Sequence, residues 1–418
     1  MAQLSDDCFA FGGALLPAAA ALERIRALDL PLPETETVAL KDAAGRILAG
    51  PLVAARDVPP YDNAAVDGYA VRFTDLDAEK AVSLPVAGRA AAGHPLARAV
   101  APGEAVRIFT GAPMPEGPDT VLMQEDCRAE GGRVSLPPGI KRGANRRHRG
   151  EDVRAGDAAL AAGTRLRPQE VALAAALGET RLTVYRRLRV ALLSTGDEVQ
   201  EPGSSLTPGA IYDANRYALQ ALLTGLGCDV TDLGIVPDNA VAVRDALATA
   251  AAGRDLVVTS GGVSTGEEDH VKGAVEALGR LHFWRLAIRP GRPVALGQIG
   301  GVPFIGLPGN PVAVMVTFVL LARPLILRLA GAREIAPTLY RVSAGFSYEK
   351  KKSRAEYLRA RLERAADGAL TAHKYPRDGA GIISSLVAAD GLVVVGEGVG
   401  EVAPGAAVDF LPFREVLG

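Results

Sequence analysis

The hydrophobic pattern changes character along the chain, and its clearest stretch lies between residues 188 and 330. Short apolar runs at 190–193, 230–236, 256–258, 282–288 and 302–305 read as strands, the unbroken ones as strands buried on both faces. Between them, Leu219, Leu222, Leu223 and Leu226 mark one helix face that Gly227 stops. Val271, Ala274, Val275 and Leu278 mark another, and an Ala-rich helix runs from Asp238 to about 252. A long apolar helix reaches Leu329, with Asn310 as its N-cap and Pro311 in the first helical position. Alternation of this kind predicts a three-layer α/β/α domain on a mainly parallel sheet.

On either side the pattern differs. An amphipathic helix is predicted at 15–28, a strand at 36–40 and a short helix at 41–49, whereas residues 1–13 show no periodicity. Residues 81–135 alternate in short runs broken by Gly and Pro, a β-rich pattern. Beyond Gly331 the runs at 341–346, 357–362, 370–375 and 392–395 read as strands of a small barrel or sandwich.

At 418 residues the chain is long enough for two to four domains. A net charge of −2 gives no sign of a nucleic-acid or membrane partner. Cys8, Cys127 and Cys228 have no paired spacing, which fits a reducing compartment and offers no zinc site. Asp6 and Asp7 stand where a signal peptide would be basic, and the apolar run at 312–321 has the length of a buried helix. A soluble, cytoplasmic protein is expected.

The candidate chemistry sits where predicted strands end. Residues 256–258 run into Thr259-Ser260-Gly261-Gly262, followed by Val263, Ser264 and the acidic Glu267, Glu268 and Asp269. Either this is a tight turn with carboxylates favoured by a helix N-terminus, or its backbone approaches a ligand. Asp197 and Glu198 follow one predicted strand and Asp238 another; a parallel sheet would bring all of them to its carboxyl edge. Carboxylates gathered there need a counterion, and Mg²⁺ shared with phosphate oxygens is economical, although Asp238 also reads as a helix N-cap. Arg285 and Arg289, four apart in a predicted strand, would face one side, with Arg292 just beyond: a pattern suited to anions. The basic run 141–149 before Glu151 and Asp152 is either a solvated loop or a loop shaped to meet an anion. No P-loop, dinucleotide fingerprint or His-based metal spacing is present.

Read together, several segments carry a specific resemblance. Ser194-Thr195-Gly196-Asp197-Glu198, residues 260–269 and Gly306-Leu307-Pro308-Gly309-Asn310-Pro311 are similar to segments of the molybdopterin molybdenumtransferase family (MoeA and the E domain of gephyrin). So are Tyr61 through Ala70, Thr110-Gly111-Ala112-Pro113 and Asn145 through Asp152, in order, from about residue 15 to the C-terminus. The resemblance implies insertion of molybdenum into adenylylated molybdopterin, with molybdate and Mg²⁺ and release of AMP. It also implies an elongated homodimer with four domains, fed by an upstream molybdopterin adenylyltransferase and serving downstream molybdoenzymes. The expected units are 14–30 with 183–332 (α/β), 31–55 with 153–182 (connecting), 56–152 (β-rich) and 333–418 (C-terminal β-barrel).

Residue by residue, it carries over catalytic roles for Asp67, Thr110 and Asp152, reaching the cleft from the partner subunit, and for Glu198, Asp238 and Asp269, which would also hold the metal. Substrate binding falls to Ser260, Gly261, Gly262, Ser264, Arg285, Arg289, Arg292, Pro308, Asn310 and Pro311, and to Ser384 or Ser385. The family's two lysines fall on Arg285 and Arg289, which keep the charge but replace an ammonium by a planar fork. Val66 stands where Met is common, a packing change. The replacement of the two lysines motivates an alternative: a non-catalytic relative acting as a molybdopterin-binding scaffold or regulatory protein.

Overall fold

The computed structural model describes residues 15–262, 270–366 and 368–417. Its centre is a six-stranded sheet: β1 (Arg189–Thr195), β2 (Asp229–Val236), β3 (Leu256–Ser260), β4 (Gly279–Arg285), β5 (Pro293–Ile299) and β6 (Val302–Leu307), in the spatial order β2-β1-β3-β6-β5-β4. The first four strands in that order are parallel neighbours. β5 runs against β6 and β4 against β5, so β4 again runs with the parallel set. The mainly parallel sheet expected from the alternation is present, extended by a hairpin edge.

Strand periodicity sorts the side chains onto two cores. Val190 and Leu192 of β1, Val258 of β3 and Ile305 of β6 meet Ile25 of α1 (Ala18–Ala27), Leu219 and Leu223 of α2 (Ala214–Gly225) and the long helix α5 (Pro311–Leu329). The intervening Ala191, Leu193, Val257 and Phe304 meet Val243 and Leu247 of α3 (Ala240–Ala251), and Val271 and Val275 of α4 (His270–Leu278). The central strands β1, β3 and β6 are therefore apolar on both faces, which is why their runs are unbroken, whereas β2 and β4 at the sheet edges carry polar interior positions such as Asp232 and Arg280. α5 is long and apolar enough to cross a membrane by length and composition, but it is the mostly buried helix of this core, with a π-helical segment at Phe318–Ala322.

Three smaller bodies flank the sheet. Gly68–Val71, Val82–Ala90 and Ala105–Ile108 are among the strands of a six-stranded β-rich sheet. Thr35–Ala39 pairs antiparallel with Arg181–Tyr185 beside the helix Pro168–Ala176. Five strands, Tyr340–Ala344, Ala355–Arg364, Leu370–Lys374, Gly391–Val395 and Ala407–Pro412, close into a barrel because Ala355–Arg364 pairs on both sides.

Several expectations are corrected. Residues 41–49 form no α-helix; a 3-10 turn at Leu40–Asp42 is followed by turns and bridges from Ile47 and Leu48. The helix Pro168–Ala176 and the strand Ala407–Pro412 lacked a strong enough pattern to be predicted. Most consequentially, the predicted strand 282–288 is two elements. β4 ends at Arg285, and Ile288–Arg289 leaves the sheet to pair in parallel with Ala355–Glu356 of the barrel. Arg285 and Arg289 therefore do not share a strand face.

Candidate active site

Because β1, β2, β3 and β6 are parallel, their carboxyl ends lie along one edge, and the chain continues from each into a polar loop. The β1 loop supplies Thr195 and Asp197, the β2 loop Asp238. Thr195 Oγ1 donates to Asp238 Oδ1 at 3.3 Å, and the Asp238 amide donates to Asp197 Oδ1 at 3.2 Å. The cap of α3 is Asn239, whose side chain accepts from the Ala242 amide, so Asp238 is not committed to capping.

The β3 loop closes over the same point. Gly261 has φ +89° and Gly262 φ +61°, a region that disfavours side chains. A Cβ on Gly261 would lie 2.5 Å from the Thr195 carbonyl oxygen, and one on Gly262 2.5 Å from Val271. The glycines are thus needed for the backbone of β3 to cross the end of β1. Ser260 is buried beneath them, and Gly261 N–H donates to the Leu307 carbonyl at the end of β6. The next turn holds buried Pro308 and exposed Gly309 and Asn310; Asn215 Nδ2 donates to the Gly309 carbonyl at 2.7 Å. Asn310 is the cap residue of α5 with Pro311 behind it, but its side chain makes no capping bond.

Glu198 is exposed beside Gly196, and no hydrogen bond joins its carboxylate to Asp238 among the described residues. No group of three His, Cys, Asp or Glu side chains converges to hold a metal among the described residues. Ser264 and Glu267 through Asp269 lie outside the described residues. The carboxylate that does meet the Asp238 loop is Asp197.

The arginines separate. Arg285 ends β4 on the same sheet edge, and its side chain has no ion pair or hydrogen bond among the described residues. Arg292 is exposed, its carbonyl accepting from Leu286 N–H. Arg289, half-exposed, lines a cleft of about 260 Å³ between its own loop and the barrel, with Tyr348, Glu356, Arg359 and Asp378. Arg359 is buried and donates to Ser385 Oγ and to the Arg377 and Gly379 carbonyls; burial pushes its pKa down. Ser385 is fully buried as that partner, which leaves Ser384 as the exposed serine of the pair. Sequence reasoning missed Glu356 and Arg359. Their signal was two charges inside the otherwise apolar run Ala355–Ala360, all of which is buried.

In the β-rich body, the Thr110 amide and hydroxyl both donate to Asp67 Oδ1, at 2.8 and 2.7 Å. These two bonds hold the Asp67 carboxyl below the usual range. Gly68 lets Asp67 enter its strand, since a Cβ there would lie 1.8 Å from the Leu122 carbonyl oxygen. Asp152 is exposed at the far end of the basic loop. Arg142, Arg146 and Arg149 of that loop pair with Asp119, Asp62 and Asp57. The run is therefore mainly a set of internal ion pairs and not a row of cations presented to an anion.

Comparison with known proteins accounts for nearly the whole chain. Residues 16–178 match the MoeA N-terminal region (domains I and II), 191–328 a probable molybdopterin binding domain, and 341–413 the MoeA C-terminal region (domain IV). The chain is 40% identical to a molybdopterin molybdenumtransferase of Haemophilus influenzae, covering 93% of this chain and 97% of that one. It is also 40% identical to one from Nostoc, covering 82% and 80%. A crystal structure of a molybdopterin biosynthesis MoeA protein from Pyrococcus horikoshii superposes with a TM-score of 0.80 at 28% identity, covering 95% of this chain and all of that one. Pattern, fold and full-length similarity agree, and the chain belongs to the molybdopterin molybdenumtransferase family.

Proposed function

We propose that the chain inserts molybdenum from molybdate into adenylylated molybdopterin and releases AMP, in the biosynthesis of the molybdenum cofactor. The observation that carries this reading is the sheet edge where Thr195, Asp197 and Asp238 meet under the Gly261-Gly262 crossing, in a chain matched end to end by named molybdenumtransferases. Nothing in the similarities favours a non-catalytic scaffold.

In the reaction the P–O bond between the pterin phosphate and AMP breaks, a water or molybdate oxygen ends on the pterin phosphorus and AMP leaves with the bridging oxygen. The two dithiolene sulfurs replace two molybdate oxygens, which leave as water with the thiol protons and protons from solvent. The chain's part is to bind and orient. The glycine crossing offers bare backbone to the pterin. Arg289 and Arg292 bind oxyanion groups, and Arg285 steadies the charge that accumulates on the leaving adenylate. Ser384, Pro308, Asn310 and Pro311 border the substrate on this reading.

The donors at the edge are oxygens, which suits Mg²⁺, and that ion needs only one or two carboxylates because it retains water. Glu198, Asp238 and Asp269 would hold it, and it would neutralise charge on the phosphate linkage. Asp67, Thr110 and Asp152 complete the cleft from the second subunit of a homodimer. Cytoplasmic placement and supply by an adenylyltransferase belong to the same proposal.

Purified protein given adenylylated molybdopterin, molybdate and Mg²⁺ should release AMP in a molybdate-dependent manner. AMP release that ignores molybdate, or none at all, refutes the reading.

A further inference from the structure

The loop from Leu286 to Arg292 belongs to two bodies at once. Its base continues the sheet: Arg285 pairs with Pro293 at the end of the β4–β5 ladder, and Leu286 N–H donates to the Arg292 carbonyl at 2.8 Å to close the loop. Its tip is fixed to the barrel by the parallel pairing of Ile288 with Ala355 and Arg289 with Glu356, and by Ala355 N–H donating to the Ala287 carbonyl. The pairing places Glu356 beside the arginine at the tip. Glu356 is only 2% exposed, an unusual site for a carboxylate unless it is held. Tyr348 O–H donates to its Oε2 at 2.5 Å, Arg354 Nε lies 3.6 Å from its Oε1, and Arg289 Nη1 lies 3.6 Å from its Oε2.

The three partners are unequal. Tyr348 is within hydrogen-bond distance, and its hydroxyl is pushed up in pKa by burial and by this bond, so it stays a donor. Arg289 is farther away and 52% exposed, and Glu356 is its one ion-pair partner among the described residues. A guanidinium carries five N–H donors in a rigid plane. A carboxylate 3.6 Å from one edge, an ion pair and not a hydrogen bond, draws that edge of the plane towards it and leaves the remaining donors for the cleft. With its charge matched by Arg354 on the opposite side, Glu356 orients Arg289 without strongly repelling a bound anion.

We infer that Glu356 is the positioning residue for Arg289: the barrel supplies, through one buried carboxylate, the orientation in which the loop arginine meets the oxyanion. This rests on the reading of Arg289 as an oxyanion ligand. The inference assigns the barrel a part in molybdate affinity that acts through the loop and not through contact with the substrate.

The test is equilibrium binding of molybdate alone to the full-length protein by calorimetry, beside the molybdate dependence of AMP release. Glu356→Gln keeps size and an acceptor for Tyr348 while removing the charge. It should weaken molybdate binding and raise its KM about two- to fivefold, with kcat changed much less. Glu356→Asp should recover part of that loss. In an Arg289→Ala background, Glu356→Gln should add little, because both act on one interaction. Binding by Glu356→Gln equal to or tighter than wild type overturns the inference. So does an equal loss in the Arg289→Ala background, which marks a merely structural role, or failure of the wild type to bind molybdate. If the wild type binds molybdate and the variants follow the expected order but no AMP is released, the reaction is wrong and the positioning role stands.

Discussion

At the scale of single residues, the site depends on groups whose neighbours fix their chemistry. Thr110 supplies both bonds that lower the Asp67 pKa, one from its backbone amide and one from its hydroxyl. Thr110→Ala removes only the hydroxyl, so the pKa should rise part of the way towards the ordinary carboxylate value, read by carboxyl carbon NMR titration. Because the folded value is depressed, the bond stabilises the fold above the unfolded value, and this is lost as pH falls through the folded one. Gly261→Ala combines a positive φ with a Cβ 2.5 Å from the Thr195 carbonyl. It should cost about 1–3 kcal/mol, measured by denaturant unfolding, and should reduce AMP release. Arg289→Ala should sharply weaken molybdate dependence, whereas Arg289→Lys should keep much of the activity because it keeps the charge. Unchanged molybdate dependence in Arg289→Ala would remove it from the site.

At the scale of elements, the amino-terminal edge of the sheet is set by one carboxylate. Asp255, just before β3, accepts from Arg186 Nη1 at 2.6 Å and from the Arg189 amide at 2.8 Å, joining the starts of β1 and β3. Burial raises its pKa, but the hydrogen bonds from Arg186 and Arg189 outweigh that and hold it at about 2. Its contribution is therefore nearly complete above about pH 4, shrinks as pH falls and is lost as pH passes below about 2. Asp255→Asn should cost about 1–2 kcal/mol at pH 7, after allowance for partial exposure, and only a small part of that near pH 2; equal losses at both pH values would refute this.

The elements themselves were largely legible. Doubly buried strands such as Leu256–Ser260 leave continuous apolar runs, and Pro311 with Asn310 announces a helix. The break after Arg285 was not legible, because Leu286, Ala287 and Ile288 are as apolar as the strand before them. What ends β4 there is competition from a barrel strand some 70 residues on, which no local pattern records. The meeting of Asp197 with Asp238 was expected from topology; that Asp197 and not Glu198 makes it depends on loop geometry.

At the scale of the whole molecule, Asp67 and Thr110 stand in one body and Asp238 in another, and the proposed homodimer unites them across subunits. Mixing an Asp67→Ala protein with an Asp238→Ala protein, each inactive alone, should restore activity in heterodimers to about a quarter of wild type on statistical pairing with one intact cleft in each mixed dimer. No recovery after verified subunit exchange would place the whole cleft in one chain. The barrel, finally, is fastened to the α/β body by backbone bonds at two places among the described residues, beside the apolar packing of Tyr357 and Leu392 into that body's core. Ile288–Arg289 pairs with its longest strand, and Val312 N–H, in the first turn of α5, donates to the Ala380 carbonyl at 2.9 Å. Two fastenings set apart along the barrel leave it no hinge about which to swing. A chain cut short after residue 332 should then lose more than a domain: the freed Leu286–Arg292 loop should become a site of rapid proteolytic nicking, while the sheet behind it resists.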